Sequence, residues 1–392
     1  MKRITDAQRR ARLARRHHLA PAALARDPVT VARDLVALHA TDPTTVHLSA
    51  AIRTKGGTVA QMEQALYDDR SLVRMLGMRR TMWVMPLDLV PVVHAAVATT
   101  LERNQRRLLV KVVEEGGVAE DGTAWTRKIE RATVRELQRR GEASASQLTK
   151  VVPGLDAKIS YGEGKKWAGT FGVSTRVLTV LGTAGKVVRG RPRGTWVSSQ
   201  YSWVPTETWL GAAIDAMPAD VARVELVRRW LRAFGPGTLA DLQWWTGLGK
   251  REVERALVEV APVEVELDGG ATGLVLADDL AAARAPAPWV ALLPALDPTV
   301  MGWKERDWYL GDHGPQLFDT NGNAGPTVWS DGRVIGGWAQ RTDGEVVVHL
   351  LEDVGRDAAT AVDAAAGRLG EWLGPARVIP RFPSPLHRTL AT

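Results

Sequence analysis

The chain reads as a mainly helical α+β protein: three winged-helix units in tandem, then a small β-barrel carrying a C-terminal helix. Three observations give this class. A helix, a short turn, a second amphipathic helix and an alternating hairpin follow one another three times along the sequence. From Trp289 onward the pattern changes to short strands broken by glycine turns. With 45% apolar and 24% charged residues over 392 positions, the composition is globular and leaves room for several cores. The units are expected at residues 1–110, 111–205, 206–288 and 289–392.

In the first unit, helical spacing covers residues 5–16, 28–39, 44–53 and 58–68. Its hairpin begins at Leu72-Val73-Arg74-Met75 and returns through Arg79-Arg80-Thr81-Met82-Trp83-Val84-Met85-Pro86. Arg79 and Arg80 are expected on these strands, facing a duplex. The second unit has a helix over 129–140 stopped by Gly141, a helix capped by Ser144, a later helix over 176–181, and a wing from Lys186 to Val197. Arg189, Arg191 and Arg193 sit at the glycine-rich tip of that wing without neighbouring acids, which suits phosphates or a minor groove. The third unit is the clearest. Helical spacing over 221–231 ends at Gly235-Pro236-Gly237, Thr238 caps a second helix, and Lys250 opens a third. Val263-Glu264-Val265-Glu266-Leu267 then alternates into the turn Asp268-Gly269-Gly270. Beyond it, Val290-Ala291-Leu292-Leu293, the stretch 333–338 and the stretch 346–350 read as strands of the barrel, closed by a helix over 357–373.

Charge is distributed unevenly. Residues 1–110 hold 18 Lys and Arg against 9 Asp and Glu, residues 111–210 hold 16 against 10, and residues 211–392 hold 17 against 25. A basic front of this kind favours phosphate backbones of any sequence. There is no cysteine, so disulfides, thiolate nucleophiles and cysteine-based zinc sites are excluded. No convincing His/carboxylate cluster suggests another metal. Gly162-Glu163-Gly164-Lys165-Lys166 lacks the spacing of a phosphate-binding loop for nucleotides, and Lys165 and Lys166 fit contact with phosphate or solvent instead. The N-terminus has no apolar segment behind its charges, and no apolar run is long enough to span a bilayer. A cytoplasmic, monomeric protein is expected, nucleoid-associated when bound to DNA and needing no cofactor.

Within the basic front lies Leu38-His39-Ala40-Thr41-Asp42-Pro43. A neutral imidazole at His39 can accept a proton from water, and the Thr41 hydroxyl can orient that water. Two structural readings stand beside this: His39 as a helix-end histidine near the last carbonyls, and Thr41 or Asp42 as the cap of the next helix with Pro43 in its first turn. Asp42 is assigned to capping, and His17, His18 and His47 are given no role.

The segment from Leu35 to Pro43 and the hairpin Arg79 to Pro86 are two of the features that resemble the winged-helix DNA glycosylase superfamily of AlkZ-like and YcaQ-like bacterial enzymes. The third is a C-terminal signature: Leu293-Pro294-Ala295-Leu296-Asp297, then Leu317-Phe318-Asp319-Thr320-Asn321-Gly322-Asn323, then Asp331-Gly332-Arg333-Val334-Ile335-Gly336-Gly337-Trp338. The resemblance spans nearly the whole chain. It implies tandem winged helices around a C-shaped DNA channel, a C-terminal β-barrel, and removal of alkylated purines, among them bulky and crosslinking adducts, in some members as self-protection of antibiotic producers. The family's Gln-x-Gln or Gln-x-Asp catalytic motif falls on His39-Ala40-Thr41, where neither glutamine is present.

The expected function is that of a monofunctional DNA N-glycosylase acting on cationic alkylpurines in double-stranded DNA. No lysine neighbours His39, so no Schiff-base step is expected. The rival is a non-catalytic winged-helix DNA-binding or regulatory protein. A nuclease is disfavoured, because no carboxylate cluster has metal-site spacing.

Overall fold

Local capping sets the start of each helix near the motif. The computed structural model describes residues 1–161 and 169–392. Thr5 Oγ1 accepts from the Gln8 amide at 3.3 Å while Gln8 Oε1 accepts from the Thr5 amide at 3.1 Å, and this reciprocal box opens the helix Asp6–Arg16. The next helix, Pro28–Asp34, ends well before His39. Val36 turns the chain with a φ of 65°, and Leu38–His39 then pairs as a strand with Met82–Pro86. His39 is therefore not a helix-end residue. The run Leu35 to Leu38 is fully buried, and in this short stretch β pairing satisfies its backbone where a longer helix would not.

Six strands form one antiparallel sheet in the order Leu38–His39, Met82–Pro86, Leu72–Leu76, Val187–Pro192, Tyr201–Pro205, Ala143–Ser144. The hairpins on either side of residue 110 thus share a sheet. Further along the chain, the helices Ala219–Phe234, Leu239–Thr246 and Lys250–Val260 precede the hairpin Val263–Leu267 with Thr272–Val275, and the N-terminal strand Lys2–Ile4 joins that hairpin in parallel. Indoles dominate the core between these layers: Trp83, Trp230, Trp245 and Trp329 are fully buried.

The C-terminal strands differ from expectation. Val290–Leu293, Thr327–Ser330, Arg333–Gln340 and Val346–Leu350 form an open four-stranded meander, and no closed barrel is found among the described residues. The helix Gly355–Leu373 covers one face through Val362, Ala366, Leu369 and Leu373, while Trp329, Leu293 and Val334 pack into the main core. With both faces covered, burial does not require closure, and four strands are too few to close around a filled interior.

Helix Pro43–Arg53, which follows the motif, is fixed by a buried ion pair. Arg53 and Asp297 are both 0% exposed and meet at 2.6 Å. Ser49 Oγ donates to Asp297 at 2.7 Å, Arg53 Nη2 donates to Thr299 Oγ1 at 2.8 Å, and Arg53 Nε donates to the His17 carbonyl at 3.0 Å. Replacing Asp297 with Ala leaves a guanidinium stranded in the core. The expected loss is about 3 kcal/mol or more in urea unfolding; a loss near zero would make the network dispensable.

Candidate active site and nucleic-acid interface

His39 lies directly across from Trp83 in the sheet, their rings edge-to-face at 5.1 Å. It is 3% exposed, and its Nδ1 is buried without a hydrogen-bond partner. Burial, and to a smaller degree the Arg79 guanidinium, push its pKa down to about 3. The imidazole is neutral throughout the physiological range. Thr41 Oγ1 is likewise buried and unpartnered, whereas its carbonyl accepts from Arg381 Nη1 at 3.5 Å. Asp42 has no free oxygen to offer. One carboxylate oxygen accepts from the Thr44 amide at 2.8 Å and from Thr44 Oγ1 at 2.6 Å, and the other from the Arg381 amide at 2.7 Å. It is the N-cap of Pro43–Arg53, with Pro43 in the first turn.

Arg79 and Arg80 do not lie on strands. They form the turn between Leu72–Leu76 and Met82–Pro86, with φ of 54° and 58°. Arg79 stacks 3.9 Å over Trp244, which also carries Arg306 at 5.1 Å, and burial together with Arg306 lowers the Arg79 pKa to about 10. Arg80 is exposed and donates to Gln105 Oε1 at 3.3 Å. The turn thus brings a cation toward His39 from one side, held by helix Leu239–Thr246 of the third unit.

The wing residues separate into three environments. Arg189 is half-buried, 3.8 Å over Trp203. Arg191 is neutralised by acids distant in sequence, Asp68 at 2.9 Å and Glu63 at 3.8 Å, contrary to the absence of compensating acids expected from the local run. Arg193 is exposed. Lys165 and Lys166 lie outside the described residues. Arg74, Arg306 and Arg381 were not singled out by sequence reasoning. Only Arg74 carried a signal, a lone cation inside the apolar run Leu72-Val73-Arg74-Met75-Leu76. Among the described residues no three His, Asp or Glu side chains are grouped to hold a metal, and no helix is long and apolar enough to cross a membrane.

The model of the AlkZ-like DNA glycosylase family matches residues 32–372, and the chain belongs to that family. Among solved structures, the DNA glycosylase AlkZ of Streptomyces sahachiroi has the same fold, with a TM-score of 0.74 at 21% identity over 96% of this chain and 99% of that one. No curated protein matches the sequence.

Two tests follow from these environments. His39 and His47 are both held at about 3 by burial, so the unfolded chain binds protons below about 6.5 that the folded chain refuses. Stability contributed by each is present above that value and is lost as pH falls, at about 1.4 kcal/mol per pH unit down to about 3. His39→Gln should make the acid side of a urea-unfolding series shallower; an unchanged slope would show that His39 is not buried neutral. In duplex binding, Arg193→Gln should reduce the dependence of log affinity on log salt by about one unit, and Arg191→Gln should leave it nearly unchanged. Equal losses for both would put Arg191 on DNA rather than on its acids.

Proposed function

We propose that this protein is a monofunctional DNA N-glycosylase that releases cationic N-alkylated purines, including bulky or crosslinking genotoxin adducts, from duplex DNA. It would act as a monomer without a cofactor, in the cytoplasm at the nucleoid. The observation that carries this reading is His39 Nδ1 and Thr41 Oγ1: two polar atoms from residues two apart in the sequence, each buried and unpartnered, in a chain of the AlkZ-like DNA glycosylase family. Buried polar atoms normally have partners, and a bound water would supply one.

An N7-alkylated purine already carries positive charge. When its glycosidic bond breaks, the bonding pair goes to the base, which leaves neutral, and positive charge passes to the sugar. Water then forms a bond to the anomeric carbon, and its proton passes to the surrounding solvent. No acid is needed for the leaving group, so the protein's task is to hold that water and favour the developing cation. An imidazole with a pKa of about 3 is a weak base. Its contribution is a hydrogen-bond acceptor of fixed direction, and Thr41 supplies the second contact. With no lysine beside His39, the strand stays intact after base loss.

The decisive assay is release of free base from a duplex carrying N7-alkylguanine, with strand breakage only after alkali. His39→Ala should slow release about 100-fold or more while duplex affinity is kept. His39→Gln, which retains an acceptor, should keep more of the rate than His39→Ala. Thr41→Val should slow release without moving the pH profile. Because the neutral imidazole predominates above about 3, the rate should be level across pH 5–8, with no inflection at the ordinary histidine value of about 6.5. Release at the wild-type rate by His39→Ala would remove His39 from the chemistry, and no release by the wild type would favour a non-catalytic DNA-binding protein.

A further inference from the structure

Among the described residues, two arginines are less than 2% exposed, and they are treated differently. Arg53 faces Asp297, whereas Arg74, 1% exposed, has no carboxylate within ion-pair distance among the described residues. Arg74 Nη1 donates to the Tyr201 hydroxyl, and its guanidinium lies 4.4 Å from the centre of that ring. Its Nε and Nη2 are buried without partners. The cross-strand Cα partner of Arg74 is a second cation, Arg189, which stands 3.8 Å over Trp203 and 5.6 Å from the Tyr201 ring. Burial, Arg74 and Arg381 together lower the Arg189 pKa to about 10. Arg381 is the exposed member of this group and is tied to the motif through the Thr41 carbonyl.

Like charges directly opposed in a sheet repel, and a buried guanidinium lacking a counter-charge is costly. No nearby acid forms an ion pair with Arg74 or Arg189: Asp42 keeps its charge but is bonded by the neutral donors of Thr44 and the Arg381 amide, while Glu63 and Asp68 are paired with Arg191. The three guanidiniums run from buried Arg74 through half-buried Arg189 to exposed Arg381, so an anion entering at the surface meets increasing charge and decreasing water. Their planar N–H donors match the oxygens of a phosphate.

Resting on the DNA reading above, we infer that Arg74, Arg189 and Arg381 together hold one backbone phosphate of the strand that presents the damaged nucleotide to Thr41. Arg189 and Arg381 make the contact. Arg74 is a positioning residue beneath them, orienting Tyr201 and Arg189 and adding charge that water does not screen.

The test uses the full chain and duplexes containing a stable abasic analogue, with one neutral methylphosphonate linkage placed at each position in turn. Wild type should lose about tenfold in affinity at one linkage. Arg189→Gln should bind the all-phosphate duplex about tenfold more weakly and lose clearly less than wild type at that linkage, keeping only the share that Arg381 contributes. Arg74→Met should likewise show a reduced linkage response while melting no lower than wild type, since an apolar side chain replaces an unpaired buried charge. The salt slope should fall by about one in each single variant and by about one in the triple variant with Arg381→Gln, because a single phosphate is involved. A fall of about three in the triple variant would mean three separate phosphates and overturn the assignment. So would an identical linkage response in Arg189→Gln and wild type. Stabilisation of wild type but not Arg74→Met by inorganic phosphate, without any linkage response, would make this a small-anion site and also overturn it. If wild type excises the base yet shows no sensitive linkage, this inference fails alone; if wild type binds no duplex, the DNA reading fails with it.

Discussion

Arg53 and Asp297 are removed from water completely, and each is intelligible only through the other. Their contact fastens helix Pro43–Arg53 to the turn after strand Val290–Leu293, while Thr299 and His17 extend the same network to the first helix and, through the Ala233 carbonyl, to helix Ala219–Phe234. Three parts of the chain are thereby locked to the helix whose N-cap is Asp42. The motif lies immediately before that cap, so its position relative to the rest of the molecule is set by an ion pair at the other end of the helix. Buried pairs contribute little net stability compared with apolar substitutes, but they tolerate few alternative arrangements.

Charge pairing also sorts the cations of the basic front by role. Arg12 and Arg16 are committed to Asp279, Arg106 to Glu102 and Glu130, and Arg191 to Asp68 and Glu63. Arg79 and Arg306 instead share the face of Trp244, and Arg74 and Arg189 crowd Tyr201. Aromatic faces hold guanidiniums in place without neutralising them. The uncommitted cations flank the sheet edge that carries His39 and Thr41, which leaves a net positive field there for a polyanion.

Burial removes basicity from His39 but preserves its lone pair and fixes its direction against Trp83. A positive field opposes charge development on a sugar unless DNA phosphates offset it, so the site as found is electrostatically complete only with DNA bound. Fold, family and charge distribution thus point to one class of chemistry.

Much of this was legible in the sequence. Helical spacing, glycine stops and cap residues marked the helices at 5–16, 44–53 and 250–258 to within a few residues, because these signals are local. Asp42 could be assigned to capping from order along the chain alone. Tertiary structure decided what depends on residues far apart. It took His39 out of a helix by pairing it with Trp83, and it placed Arg79 and Arg80 in a turn against Trp244. It also joined two hairpins into one sheet and left the C-terminal strands open beneath a covering helix. It cancelled the charge of Arg191 with acids more than a hundred positions away and left Arg74 without any. Periodicity reports which face of an element is buried, but burial depth, counter-charges and hence the pKa of a buried imidazole come from neighbours that only the folded chain brings together.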